Sequence, residues 1–168
     1  LIYYIMQQAG KDVALAGNIG KSFAMEVAEN DHEWYVLEIS SFQLDNMYEF
    51  RAHVAVLLNI TPDHLDRYNF CVQNYVDSKM RILRNQTAAD SFIYWNGDDY
   101  IGRERSRYSV PSCDLVFSDA PSEGAVAYVS GSELKIEHPV AFSMPLSDIS
   151  LVGKHNLRNA MATALACL

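Results

Sequence analysis

The chain has 168 residues, of which 49% are hydrophobic and 11% aromatic, and this is enough for one domain with a substantial core. Its 13 basic and 21 acidic residues give a formal net charge of −8, which disfavours a nucleic acid or an anionic membrane surface as a partner. Three widely spaced cysteines without a C-x-x-C pair suggest neither a disulfide framework nor a zinc site, and they favour a reducing, cytoplasmic location.

The first half of the chain predicts strands that alternate with helices. The predicted helices are 1–11, 22–30 and 71–83, and the predicted strands are 13–16, 34–42 and 53–60. After the third strand, Thr61 and Pro62 are residue types that favour an N-cap and a first helical position. This alternation is typical of a parallel sheet that helices cover on both faces.

From residue 91 the pattern changes to short, closely spaced strands with little helix. The predicted strands are 91–96, 114–118, two within 124–138 around a Ser-Gly turn, and 148–153, and a last helix covers 154–168. The basic cluster "RERSR" (103–107) is interpreted as a solvated loop. The fold class is therefore α/β, with a mostly parallel sheet flanked by helices and a small antiparallel meander.

Polar residues cluster where the first three predicted strands end. These segments are Gly17–Gly20, Glu38–Ser41 and Asn59–Asp66. The carboxyl ends of parallel strands form the usual ligand-binding edge of such a sheet, because loops and helix N-termini converge there.

Glu38 and His64 are the candidate metal ligands at this edge. Glu38 lies in an almost wholly apolar run, where an unpaired carboxylate is costly unless it meets a cation. The alternative for Glu38 is a strand end that has reached water, and the alternative for His64 is a residue at a helix N-terminus. One histidine with carboxylate oxygens suits Mg²⁺ or Mn²⁺ better than zinc.

Lys79 falls inside the apolar stripe of the predicted helix 71–83, one turn from Tyr75 and Val76. Either its stem packs while the ammonium reaches solvent, or the lysine points into a polar site, where it neutralises phosphate or carries a modification. The pattern leaves both alternatives open.

Four segments resemble the central domain of the Mur ligases, in the expected order and over nearly the whole chain. They are "YVLEISSFQL" (35–44), "LLNITPDHLDRY" (57–68), "YVDSKMRIL" (75–83) and "GKHNLRNAMATALA" (153–166). The "EISSFQL" sequence is most similar to the branch of the family that adds D-glutamate. The "NITPDHLDRY" sequence is shared in part with sister ligases and with folylpolyglutamate synthase.

The resemblance bears on "GNIGKS" (17–22), which imitates a phosphate loop. In the family the phosphate loop precedes a helix, a strand and then a GNIG turn. The resemblance therefore implies that 1–168 is a central ATP-binding domain fragment of a P-loop NTPase-like fold. It places the phosphate loop upstream of residue 1. The N-terminal UDP-binding domain and the C-terminal domain are then outside the chain. Lys21 is then an ordinary surface charge near an anionic substrate.

The resemblance implies roles for individual residues, and for Glu38 and His64 it agrees with the metal-ligand interpretation above. Glu38, His64 and a CO₂-carbamylated Lys79 would hold the metal and act in catalysis, and carbamylation requires the neutral amine that burial favours. The residues implied at the muramoyl substrate are Asn18, Ser40, Gln43, Asp66 and Arg67. Asn156 and Asn159, neighbours on one helical face, would contact adenine; helix N-capping or surface solvation is the alternative for this pair.

The implied reaction is ATP-driven amide ligation in peptidoglycan precursor synthesis. UDP-N-acetylmuramoyl-L-alanine, D-glutamate and ATP are the implied substrates, Mg²⁺ or Mn²⁺ the implied cofactor, and the whole protein is expected to be a monomer. The fragment by itself is expected to be inactive. The competing hypotheses are a sister ligase, a folylpolyglutamate synthase, and a non-catalytic nucleotide-binding relative.

Overall fold

The computed structural model describes residues 1–151 and 153–168 as an α/β fold. Its helices are α1 (Ile2–Gln8), α2 (Phe23–Glu29), α3 (Ser41–Asp45), α4 (Val72–Met80), α5 (Asp99–Arg105) and α6 (Lys154–Cys167). Its strands are β1 (Val13–Gly17), β2 (Trp34–Glu38), β3 (Val54–Leu57), β4 (Ser91–Trp95), β5 (Cys113–Ser118), β6 (Ala125–Ser130), β7 (Glu133–Ile136) and β8 (Phe142–Pro145). Short 3₁₀ turns cover Leu65–Tyr68, Arg81–Leu83 and Leu146–Asp148.

The strands form two sheets rather than the single sheet that the alternation suggests. The larger sheet has the order β3-β4-β5-β6-β7-β8, and β1 pairs with β2 in a separate two-stranded parallel sheet. Strands β3 to β6 run parallel, whereas β6, β7 and β8 form an antiparallel meander. The predicted class, a mostly parallel sheet with a small antiparallel part, is confirmed.

Helices cover both faces of the larger sheet, as the strand pattern predicts. Successive strand residues point to opposite faces, and Phe92 and Ile93 of β4 accordingly belong to two different core clusters. Residues from α4 and the turn after it pack with Phe92: Val76, Met80 and Leu83. Residues from β5 and α6 pack with Ile93: Leu115, Phe117, Met161 and Leu165.

Two sequence predictions about the segments that follow β2 and β3 are wrong in detail. The strand expected over 34–42 ends at Glu38, and α3 begins at Ser41 because Ser40 caps it. Thr61 does not cap a helix. The helical turn begins instead at Leu65, after His64 in the left-handed conformation with φ 50°.

The second half contains one unpredicted helix and one misplaced strand. Asp98 accepts a hydrogen bond from the backbone N–H of Ile101 and starts α5, which includes part of the cluster 103–107 that was interpreted as a loop. The strand expected over 148–153 is wrong for the residues described, and the meander is completed earlier by β8; Val152 lies outside the described residues. No helix among the described residues is long and apolar enough to cross a membrane.

Candidate functional site

The turn after β1 holds Asn18 against Glu38 at the end of β2. Gly17 pairs with Glu38 in the parallel ladder, and the Asn18 backbone N–H donates to the Glu38 carbonyl oxygen at 2.8 Å. Asn18 Nδ2 also donates to Glu38 Oε1 at 3.0 Å. Gly17 has φ +114°, and a Cβ there would lie 2.2 Å from the Glu38 carbonyl oxygen. Glycine is therefore required for this approach.

Lys21 is bound by two carboxylates of the neighbouring helix. Its Nζ lies 2.6 Å from Glu29 Oε2 and 3.1 Å from Glu26 Oε2. The hydrogen bond to Glu29 is the largest cause of the raised pKa of Lys21. These partners place Lys21 on the surface of α2, in agreement with the expectation that it is an ordinary surface charge.

Ser40 and Gln43 form a capping box at the start of α3. Gln43 donates its backbone N–H to Ser40 Oγ at 3.4 Å, and Ser40 donates its backbone N–H to Gln43 Oε1 at 2.9 Å. The capping box gives both N–H groups a side-chain acceptor at the start of the helix, and the Gln43 N–H also lies 3.2 Å from the Ser40 carbonyl oxygen. The two residues implied at the substrate therefore have a structural role that the sequence reasoning missed. The S-x-x-Q spacing in the sequence is the pattern that indicates a capping box.

Ser40→Ala is expected to lower the free energy of unfolding of this chain by about 1 kcal/mol, the usual cost of losing a helix cap. Ser22→Ala is the matched control, because Ser22 caps α2 through the Met25 N–H at 3.3 Å. Urea unfolding followed by circular dichroism measures both losses, which we expect to be similar. An unchanged unfolding midpoint in Ser40→Ala would contradict the capping role.

His64 belongs to an exposed aromatic and cationic group beside α3. Its ring centroid lies 5.5 Å from that of Phe42, and the guanidinium carbon of Arg67 lies 5.2 Å from the same Phe42 ring. The His64 backbone N–H donates to Asp63 Oδ1 at 2.7 Å. His64 and Arg67 therefore share one aromatic neighbour. Asp66 lies exposed between them in the chain.

Lys79 is half-buried on α4, with Nζ 5.6 Å from the centroid of the Tyr75 ring. Burial is the largest influence on its pKa and lowers it, while the negative charges of Glu38 and Asp63 oppose that shift. The structure thus brings Lys79 into the electrostatic field of Glu38. Asp63 was missed by the sequence reasoning, although it directly precedes His64 in the same motif.

The described residues do not by themselves form a metal site. Among residues 1–151 and 153–168, no group of three or more His, Cys, Asp and Glu side chains is arranged to hold a metal ion. Glu38 is exposed at its strand end, so the expectation of a buried, costly carboxylate is wrong and the alternative of a strand end in water is correct. Glu38 and His64 offer an oxygen and a nitrogen donor that suit Mg²⁺ or Mn²⁺. A carbamylated Lys79 would add a second oxygen donor.

Asn156 and Asn159 lie within α6, half-buried, and neither is the N-cap, which is Gly153. The N-capping alternative for this pair is therefore wrong. Between them Arg158 packs 3.4 Å from the centroid of the Trp95 ring and donates from Nε to Asp119 Oδ1 at 2.9 Å. These contacts attach the first turns of α6 to the ends of β4 and β5. Sequence reasoning missed this group.

The chain matches a known family and several named relatives. The model of the Mur ligase middle domain matches residues 1–167. A UDP-N-acetylmuramoylalanine--D-glutamate ligase from Bacteroides fragilis is 52% identical over 166 residues, which are 99% of this chain and 37% of the relative. A ligase of the same name from Porphyromonas gingivalis is 46% identical over 170 residues, 98% of this chain and 37% of the relative. The chain thus spans little more than a third of these relatives.

Solved structures of two other ligases have the same fold. One, described as a UDP-N-acetylmuramoyl-L-alanyl-D-glutamate--2,6-diaminopimelate ligase, aligns with a TM-score of 0.73 at 18% identity and covers 99% of this chain and 39% of that one. The other, MurF from Thermotoga maritima in complex with ADP, aligns with a TM-score of 0.68 at 19% identity and covers 98% of this chain and 40% of that one. At these identities the similarity establishes the fold alone.

Proposed function

The chain belongs to the Mur ligase family as its middle domain, and from this premise we propose that it is the central part of the ligase that adds D-glutamate to UDP-N-acetylmuramoyl-L-alanine. The observation that carries the proposal is the 52% identity, over 99% of this chain, to a relative named as that ligase. The "EISSFQL" sequence at the end of β2 supports the same choice among the branches of the family.

The contacts around Glu38 support a metal-dependent role for this edge of the fold. In this proposal Glu38 and His64 bind Mg²⁺ or Mn²⁺, and Lys79 joins them as a carbamate. Burial lowers the pKa of Lys79, so at a given pH more of its amine is neutral and able to react with CO₂ than in an exposed lysine. The bound metal would neutralise phosphate charge during phosphoryl transfer.

The proposed reaction proceeds through an acyl phosphate. The carboxylate of UDP-N-acetylmuramoyl-L-alanine attacks the γ-phosphorus of ATP and ADP leaves, after which the amine of D-glutamate displaces phosphate and forms the amide. This chain contributes positioning and charge neutralisation. Asn18, Ser40, Gln43, Asp66 and Arg67 are proposed at the muramoyl substrate, and Asn156 and Asn159 at adenine.

The remaining features of the whole protein are proposals by the same reasoning. We propose that the phosphate loop and the binding domains for the uridine nucleotide and for D-glutamate belong to segments outside residues 1–168. A relative solved with ADP supports ATP as the nucleotide substrate. A cytoplasmic, monomeric protein is proposed, and the fragment by itself is expected to be inactive.

ADP release by the full-length protein tests this function. With UDP-N-acetylmuramoyl-L-alanine, ATP and Mg²⁺, turnover with D-glutamate is expected to exceed that with L-glutamate or diaminopimelate by at least ~100-fold, because a site that pairs with polar substrate groups rejects misplaced ones strongly. Activity with another amino acid instead would assign the protein to a sister ligase. Absence of turnover with all three would favour a non-catalytic relative.

A further inference from the structure

An open cleft lined by arginines lies beside α4, and of its arginines the proposed ligase reaction uses only Arg67. The cleft has a volume of about 800 Å³ and lies between the end of α4 and the loop after α5. Four arginines line it, and two aspartates, Asp45 and Asp77, are the acidic lining residues. We call it the arginine cleft, defined by Arg67, Arg81, Arg84, Arg107 and Tyr108. This concentration of positive charge contrasts with the net charge of −8 of the whole chain.

Helix geometry separates most of the cleft from the candidate active site. Arg81 follows Asp77 by four residues and Arg84 follows Arg81 by three, so the three positions share one side of the helical segment. Lys79 lies about 160° from Arg81 around the helix axis, at 100° per residue, and its electrostatic neighbours are Glu38 and Asp63. Arg67 is the member of the cleft nearest to the candidate site, since it contacts Phe42.

The two acidic residues of the cleft already accept hydrogen bonds from neutral donors. Asp45 Oδ2 accepts from the Tyr68 hydroxyl at 3.1 Å, and Asp77 Oδ1 accepts from Gln73 Nε2 at 2.8 Å. Arg107 is paired with Glu104 at 2.6 Å, yet its side chain is 57% exposed. Within the described part of the chain, the guanidinium of Arg84 has no hydrogen-bond acceptor and only contacts the Tyr48 ring at 5.2 Å. No arginine of the cleft forms an ion pair with Asp45 or Asp77 within the described residues, and the four guanidinium groups outnumber Asp45, Asp77 and Glu104, so the cleft keeps a net positive charge.

Other contacts fix the shape of the cleft before any ligand binds. Arg81 donates from Nε to the Leu44 carbonyl at 3.0 Å and from Nη2 to the Asp45 carbonyl at 3.2 Å, so its planar group is held in one orientation. Tyr108 is half-buried, and burial is the first cause of its raised pKa. Its phenol is protonated near neutral pH, as an unshifted tyrosine also is, and can donate a hydrogen bond.

We propose that the arginine cleft is a second anion site, which binds a small molecule carrying phosphate groups. Guanidinium groups match phosphate oxygens with paired, charge-assisted hydrogen bonds. The volume lies within the usual range of small-molecule sites, about 300–1,000 Å³. Several arginines converge on one space, which suits the multiple charges of a phosphoryl chain better than a single carboxylate.

Calorimetric titration of the full-length protein with inorganic pyrophosphate tests the site, and Arg84→Ala/Arg107→Ala is the informative variant. We expect the wild-type protein to bind one pyrophosphate more than this variant does. Arg103→Ala is the matched control, because Arg103 lies on α5 with an exposed side chain and is not a lining residue of the cleft. The affinity of the Arg103→Ala variant for pyrophosphate is expected to stay within twofold of wild type.

Three results would overturn the proposal: no pyrophosphate bound by the wild-type protein, equal binding by wild type and the double variant, or equally strong binding of succinate in the cleft. Thermal unfolding of each variant establishes that the fold is kept. If the double variant unfolds early, Arg84→Gln, which keeps a polar exposed side chain, replaces it. The titration measures binding without turnover, so it is independent of the ligase assay and of its outcome.

Discussion

Replacing Lys79 with alanine is expected to lower kcat of the full-length protein in the proposed ligase reaction at least 100-fold, a loss of about 3 kcal/mol of transition-state stabilisation. The lysine is half-buried and lies in the field of Glu38 and Asp63. In the proposed mechanism its carbamate would help to hold the metal, which would supply charge neutralisation for the transferred phosphate. ADP release at saturating substrates measures the effect.

The CO₂ dependence of the rate separates a carbamate from a simple cation. Only the neutral amine reacts with CO₂, so carbamylation rises as pH increases through the lowered pKa of Lys79. We expect bicarbonate to raise the wild-type rate in CO₂-depleted buffer and to leave Lys79→Ala unchanged, while acetate partly restores activity to the variant.

Two variants control this experiment. Lys135→Ala removes an exposed lysine on β7, whose side chain is 40% exposed, and its kcat should match wild type. Lys79→Arg keeps the positive charge but cannot form the carbamate. Full activity in Lys79→Arg would show that a cation is what the reaction needs, and the carbamate proposal would fail.

Replacing Asp90 with alanine is expected to cost about 3 kcal/mol of unfolding free energy, because a buried carboxylate and its hydrogen bonds are removed together. The Asp90 side chain is fully buried, and it accepts from Arg51 Nε and Nη2, both at 2.8 Å. It also accepts from the Thr87 backbone N–H at 2.6 Å and hydroxyl at 2.9 Å. Alanine leaves the Thr87 N–H and the Arg51 guanidinium without this acceptor.

The stabilising effect of Asp90 depends on pH in a defined direction. The pKa of Asp90 lies far below the ordinary value of 3.8, and the hydrogen bonds from Arg51 are the largest cause of this lowering. A group whose pKa is lowered by folding stabilises the folded state above its unfolded pKa, and this contribution falls as pH drops below that value. At pH 3 the difference between wild type and Asp90→Ala should be about 1 kcal/mol smaller than at pH 7.

Urea unfolding of wild type and variants at both pH values measures these differences. Asp114→Ala is the matched control, since Asp114 pairs with Arg105 at 2.9 Å but its side chain remains 31% exposed. An ion pair of this kind contributes less than about 1 kcal/mol. Equal losses of unfolding free energy for Asp90→Ala and Asp114→Ala would mean that the burial of Asp90 does not increase its contribution to stability.

Hydrophobic periodicity was sufficient to predict the alternating strands and helices, but local capping decided where they begin. The helix 71–83 is confirmed as α4 and its 3₁₀ extension, since its apolar stripe is long and regular. By contrast, α3 has five residues, too few for a periodic signal, and it depends on the hydrogen bonds between Ser40 and Gln43. Short elements of this kind are determined by single side-chain contacts.

The candidate site was predictable in its residue types and only partly in its environment. The proximity of Glu38 to Lys79 follows from strand ends and a helix face, and the sequence indicated both positions. Whether Glu38 was buried depended on how the strands divide into sheets, which periodicity does not determine. The arginine cleft was invisible for the same reason, because Arg84 and Arg107 lie on segments that only tertiary packing brings together.

The division into two sheets has a consequence for handling this chain as a separate protein. The two-stranded sheet of β1 and β2 and the outer strand β3 present backbone N–H and C=O groups along unpaired edges, and such edges recruit strands from other molecules. Apolar side chains on these strands are also exposed: Leu15, Trp34 and Val54. Residues 1–168 produced alone are therefore expected to self-associate through these edges. A fusion partner or flanking sequence that adds strands to the edges should reduce this association.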